Sequence, residues 1–363
     1  MRTNLCDTFG IEHPVFGFTP SEHVAAAISR AGGLGVLGCV RFNDAEDLDR
    51  ALSWMDENTD GKPYGVDIVM PAKVPTEGTQ IDLDRLIPQG HRDFVDRTLL
   101  RLGVPPLEGG TASEGVLGWL HSVARSHVDV ALEHPIRLIA NALGSPPADV
   151  IERVHAAGVP VAALAGKASH ARRHVENGVD IVVAQGYEAG GHTGEVATMV
   201  LVPEIVDAVD VPVLAAGGIG SGRQAAAALA LGADGVWMGS YWLTTAEYAL
   251  GNASTQEALL AAGSSDTVRT RIYTGKPARL LKTRWTEAWA SADAPEPLPM
   301  PLQNILVSAA HQRIAQSADP SVVSMPVGQV VGRMNEVRPV AEVMAELLGE
   351  FHDTVKRLTE LNR

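Results

Sequence analysis

A histidine flanked by glycines presents an imidazole with few packing partners of its own. Such a group lies in Ala184–Glu195, AQGYEAGGHTGE, where His192 follows Gly190 and Gly191 and precedes Thr193 and Gly194. Neutral imidazole accepts a proton near pH 7, and the charged form orients an anion. The same stretch carries Gln185 at the tip of an apolar run, and Glu188, which either orients His192 or caps the loop. A second loop suits a different task. Val211–Ala215 opens onto Gly217, Gly218 and Ile219, and Ser221 is placed to cap the helix that follows. Glycines let backbone N–H groups approach an anion, and a helix N-terminus adds partial positive charge. Met238, Gly239 and Ser240 end the next apolar run. Two neighbouring turns of this kind form a recurring phosphate site at a barrel rim.

Other candidates carry less. Lys167 follows a strand on the same rim, where a cation either serves a ligand or is simply solvated. His170 and His174 share a helix face at i, i+4, but no third ligand lies near in sequence, so no metal site is expected. Gly33–Gly38 matches G-x-G-x-x-G. A dinucleotide fingerprint needs a strand before it and a helix after it. Here a helix precedes the match and the match contains the strand.

These loops need a frame. Short β-rich runs alternate with helical patterns. The expected strands are His13–Phe18, Leu34–Leu37, Tyr64–Met70, Arg137–Leu143, Val159–Leu164, Asp180–Ala184, Val211–Ala215 and Gly235–Met238. Helices are expected over Glu22–Ala31, Ala45–Met55, Ser145–Ala156 (with Pro146 and Pro147 in its first turn), Ala168–Asn177, Val200–Val209 and Gly222–Leu231. Eight β-then-α units argue for a parallel sheet, and eight is the number that closes a (β/α)8 TIM barrel. A doubly wound open sheet is the competing arrangement. The expected fold class is α/β, a barrel over 1–242 with an insertion after strand three, 71–134, and a mostly helical C-terminal region. The insertion includes a glycine-rich stretch from Leu107, LEGGTASEG, expected to be a mobile lid loop on the C-terminal face. A smaller helical and loop subdomain is expected over 243–325. Over 326–363, apolar residues at Val340, Val343, Met344, Leu347, Leu348, Phe351, Val355 and Leu358 predict a helix packed back on the barrel or used in a dimer contact.

Bulk properties restrict the function. The 363 residues carry a formal charge of −14, which argues against a nucleic-acid surface but not against a small anionic ligand. Hydrophobic residues are 45% and aromatics 5%, as suits close-packed parallel strands. Two isolated cysteines, Cys6 and Cys39, suggest a reducing compartment. Neither a secretory leader nor an 18-residue apolar run is visible, so a cytoplasmic location off the membrane is expected.

The blocks GIEHPV, AGGLGVLG, KPYGVDIVMP, AQGYEAGGHTGE, PVLAAGGIGSGRQAAAALALGADGVWMGS and TGKPAR together resemble the nitronate monooxygenase family of FMN-dependent barrel enzymes. The resemblance implies that Gln185, Gly190 and Gly191 touch FMN. It implies that Gly217, Gly218, Ile219, Met238, Gly239 and Ser240 surround the phosphate, and that His192 is the active-site base or substrate anchor. Apart from the resemblance, Lys167 on the same rim either stands near the flavin pyrimidine or is simply solvated. Where the family places Ala-Pro-Met against the flavin, this chain has Gly17, Phe18 and Thr19, followed by Pro20. Where the family often has Asn in strand three, this chain has Asp67, and a carboxylate there disfavours an anionic reduced flavin.

The implied reaction is oxidation of alkyl nitronates by O2 to a carbonyl compound and nitrite. Two other chemistries fit the same loops. One is reduction of a quinone or an enoyl thioester by NAD(P)H through FMN. The other is isomerisation of a phosphorylated metabolite. The expected partners are a small-molecule substrate with O2 or NAD(P)H, and the chain is expected as a monomer or homodimer.

Overall fold

A computed structural model describes residues 1–70, 83–107, 121–248 and 250–361. Eight parallel strands close into a barrel, each paired with the next in the ring. They are β1 (Val15–Thr19), β2 (Leu34–Gly38), β3 (Tyr64–Asp67), β4 (Ile139–Asn141), β5 (Val161–Ala165), β6 (Ile181–Gln185), β8 (Val213–Ala216) and β9 (Gly235–Met238). β9 pairs with β1 to complete the ring. The doubly wound alternative is excluded by that closure. β7 (Gly191–His192) lies outside the barrel, in a small antiparallel sheet with β10 (Thr267–Thr270) and β11 (Ala278–Leu281).

The strands are apolar on both faces because each side is covered. Inward residues from Phe16, Leu34, Val36, Leu138, Ala162, Ile181, Val183, Leu214 and Trp237 fill the barrel. Outward residues pack under the helices. The N-terminal helix Asn4–Phe9 closes the bottom: Leu5, Cys6 and Phe9 join the interior, and Phe9 meets Phe16 edge-on at 5.3 Å. Nothing in its short pattern marks that role.

Several expected boundaries move, each for a local reason. β3 ends at Asp67 rather than Met70, because the Met70 N–H turns to Asn141 Oδ1 at 2.9 Å. β4 is shorter than Arg137–Leu143, since the Asn141 side chain also donates back to the carbonyls of Met70 and Gly144. Pro146 and Pro147 precede the next helix, Ala148–Ala156, instead of forming its first turn. The helix after the histidine loop runs Thr198–Val206, starting earlier than Val200.

Among the described residues, the 71–134 stretch holds two dissimilar α-helices. His121–Ala131 sets Ala124, Val128 and Ala131 beside Leu48, Leu52 and Met55 of the helix Ala45–Asn58, within the barrel's outer ring. Gln89–Arg101 packs elsewhere: Phe94, Val95 and Leu99 join Trp289, Leu306, Val307 and Ile314 of the C-terminal region. The glycine-rich lid stretch beyond Leu107 lies outside the described residues.

The last helix, Val340–Glu360, buries Val340, Val343, Met344, Leu347 and Phe351 with residues of the helices Gly222–Ala230 and Glu22–Arg30. Gly222 lets it come close, since a Cβ there would lie 2.0 Å from the Leu347 carbonyl oxygen. Val355 and Leu358, further along the same stripe, stay exposed. No helix among the described residues is long and apolar enough to cross a membrane.

Candidate functional site

The C-terminal ends of the strands form an open mouth, and strand alternation decides what faces it. Phe18 belongs to the barrel interior, as Phe16 does two residues earlier. Asp67 pairs with Gly38 and Ala140, so it points inward with them. Gln185 follows Val183 at the same parity. Phe18, Asp67, Leu164 and Gln185 therefore make the floor of the mouth. Of the three predicted residues of the first strand, only Phe18 aims inward. Gly17 faces out, where an added Cβ would lie 2.4 Å from Ile28 Cδ1. Thr19 is buried, and its hydroxyl accepts the Ser21 N–H at 3.2 Å to turn the chain into the next helix.

Asp67 is 2% exposed, and its carboxyl has no hydrogen-bond partner among the described residues. Burial raises its pKa to about 7. Gln185 is half-buried, and Lys167 is exposed at the start of the helix Ala168–Glu176. Neither side chain hydrogen-bonds a described residue. His174 is committed to structure: Nδ1 meets Ser145 Oγ at 2.7 Å, and Nε2 meets the Leu164 carbonyl at 3.1 Å.

The two glycine turns stand side by side after β8 and β9. Gly217 and Gly218 have φ of 98° and 71°, a conformation that costs other residues strain. Backbone N–H groups in glycine turns can form an anion-binding concavity. The N–H groups of Gly217, Gly218, Ile219, Gly239 and Ser240 donate to no described residue. Ile219 and Met238 bury their side chains under the helices, leaving only backbone toward the turns. Ser240 Oγ accepts the Gly328 N–H at 2.8 Å. Ser221 caps its helix as expected, through the Gln224 N–H. That helix end is less available to an anion than its sequence suggests, because Glu350 Oε2 already accepts the Gly222 N–H at 2.9 Å. The free donors lie one turn earlier.

The histidine loop is held from three sides. Glu188 accepts from both the N–H and the hydroxyl of Thr198, which resolves its two readings in favour of capping. The Thr198 hydroxyl oxygen lies 3.1 Å from the Gly217 carbonyl, tying this loop to the glycine turn. Val327 and Gly328 press on Gly190, where a Cβ would fall 2.6 Å from the Gly328 nitrogen. Arg279, 2% exposed, donates to the Tyr187 carbonyl through Nε and Nη2 and lies 4.4 Å from the Tyr187 ring centre.

β7 itself pairs His192 with Ala278. The C-terminal region thereby positions the histidine, a dependence that a two-residue strand cannot signal in sequence. His192 Nε2 lies 2.6 Å from Thr274 Oγ1. Burial, with a smaller contribution from the Lys276 charge, lowers the His192 pKa to about 4, so the ring is neutral at ordinary pH. Sequence reasoning missed Thr274 and Lys276 as neighbours of the histidine, although both lie in the TGKPAR block. No group of three metal-ligating side chains occurs among the described residues.

Comparison with known proteins gives this arrangement a family. The chain is 52% identical to the monooxygenase-like protein Rv1533 of Mycobacterium tuberculosis, over 99% of both chains. The structure of a nitroalkane oxidase from Streptomyces ansochromogenes matches with a TM-score of 0.81 and 25% identity, covering 97% of this chain and 99% of that one. The structure of FabK from Thermotoga maritima matches with a TM-score of 0.76 and 30% identity, over 99% of both. The family model for nitronate monooxygenase matches residues 2–350. The chain belongs to the nitronate monooxygenase family and is an oxidoreductase.

Proposed function

We propose that this chain binds FMN at the barrel mouth and oxidises alkyl nitronates with O2, giving a carbonyl compound and nitrite. The observation that carries the reading is the set of N–H groups on two adjacent turns that donate to no described residue. Five such donors suit a terminal phosphate. The amides of Gly217, Gly218, Ile219, Gly239 and Ser240 would hold it. The Gln185 amide and the backbone at Gly190 and Gly191 would meet the ring edge, with Phe18 and Asp67 beneath and Lys167 at the rim. When bound, FMN supplies one-electron and O2 chemistry.

The chain's own residues do the rest by position and charge. His192 places a neutral, enclosed ring where an anionic nitro group is to be anchored. Asp67 in its protonated form offers a hydrogen-bond donor under the ring, as an amide would, without a fixed negative charge. The loop 186–192, clamped by Arg279 and Gly328, keeps the anchor from drifting. His192→Asn is expected to retain FMN and to lose at least about tenfold in kcat/KM for nitronates. Unchanged turnover would remove the histidine from the reaction.

The likeness to FabK supports a second reading, a reductase that uses NAD(P)H at the same site. Anaerobic addition of each reductant separates the two.

A further inference from the structure

The hydroxyl of Thr274 has one hydrogen and a constrained environment. Thr274 is 7% exposed. Its oxygen already accepts the Lys276 N–H at 3.4 Å. The only acceptor within reach of its hydrogen among the described residues is His192 Nε2, at 2.6 Å. If Nε2 carried a proton instead, the threonine oxygen would receive two donors and its own hydrogen would be left without a partner among the described residues, which is unfavourable. The hydrogen-bond network thus assigns the ring proton to Nδ1. Nδ1 bonds no described residue and is not among the buried unpartnered atoms, so it keeps some exposure.

We propose that Thr274 is a positioning residue that fixes His192 as the Nδ1–H tautomer, so that the histidine meets substrate as a hydrogen-bond donor and not as a base. The inference rests on the reading above that His192 faces the substrate. It sharpens that reading, since the lone pair needed to abstract a proton from a neutral nitroalkane is turned away from the cavity and occupied. The ring is suited to an anion that has already lost its proton. Burial above all, and the nearby Lys276 charge after it, oppose protonation of the ring and keep the tautomer choice meaningful at neutral pH.

Long-range 1H–15N spectra of the FMN-loaded protein labelled in histidine read the tautomer directly. The protein has twelve histidines, and His192→Asn identifies the signals that belong to His192. The expected result is a protonated Nδ1 and a pyridine-type Nε2. Thr274→Ser is expected to preserve both, while Thr274→Val shifts the proton toward Nε2. With propionate 3-nitronate, Thr274→Val is expected to raise KM about tenfold and Thr274→Ser to stay within about twofold of the parent. A protonated Nε2 in the unmodified protein would overturn the proposal, as would a Thr274→Val protein with an unaltered tautomer. A protonated Nδ1 in a protein that fails to turn over nitronates would uphold the positioning and reject the nitronate reading.

Discussion

The ring of Phe18 stacks on that of Trp237 with centroids 6.3 Å apart and planes 19° from parallel. Phe16 stacks on Trp237 at 6.5 Å. A column of three aromatic rings thus rises inside the barrel and ends in Phe18 at the mouth. Gly38 gives Phe18 its room, since a Cβ there would lie 3.0 Å from Phe18 Cε2. Phe18→Ala is expected to cost about 2–3 kcal/mol of stability, less than a fully buried phenylalanine because the ring is half-open. Gly38→Ala is expected to weaken FMN binding several-fold with little change in fold, by pushing the ring into the mouth. Urea unfolding and fluorescence titration with FMN measure the two effects.

The glycine turns allow a sharper test. Gly218→Ala imposes strain at φ of 71° and puts a methyl at the proposed anion site. FMN affinity is expected to fall at least about tenfold, while unfolding free energy of the FMN-free protein falls by about 1 kcal/mol. Gly158→Ala is the matched control, with φ of 73°, nothing within 4 Å of the added Cβ and a place far from the mouth. It should lose stability and keep its FMN affinity.

Asp67 makes stability depend on pH in a direction opposite to most carboxylates. Its folded pKa, about 7, lies above the ordinary 3.8. Between those values the folded state holds a proton that the unfolded chain has released, so stability falls as pH rises through that window and levels off above it. Asp67→Asn removes the effect. The variant is expected to match the parent near pH 4 and to exceed it by on the order of 2–4 kcal/mol at pH 9. Equal pH profiles for the two proteins would show that Asp67 is ionised throughout.

Much of this architecture was legible because short parallel strands write a plain pattern. Apolar runs such as Ile181–Ala184, bounded by glycine and polar turns, marked all eight barrel strands. Alternation within β1, β3 and β6 decides that Phe18, Asp67 and Gln185 face one space while Gly17 and Thr19 do not. The glycine pair at 217 and 218 was legible because positive φ demands it. What escaped detection lies in pairings across long separations. His192 and Thr274 are 82 residues apart, and Gly222 and Glu350 are 128 apart. Neither contact leaves a periodic trace. Glu188 was ambiguous in sequence because both of its readings needed only a nearby donor, and the early start of the helix at Thr198 supplied one.

A flavin held by the turns after β8 and β9 is proposed to take its electrons from a nitronate. Anaerobic mixing of the flavin-loaded protein with propionate 3-nitronate, followed at the flavin's long-wavelength absorption band, tests that transfer most directly. The expected result is loss of that absorbance with the nitronate and release of nitrite once O2 is admitted. Absorbance that persists with the nitronate but bleaches with NADPH would contradict it.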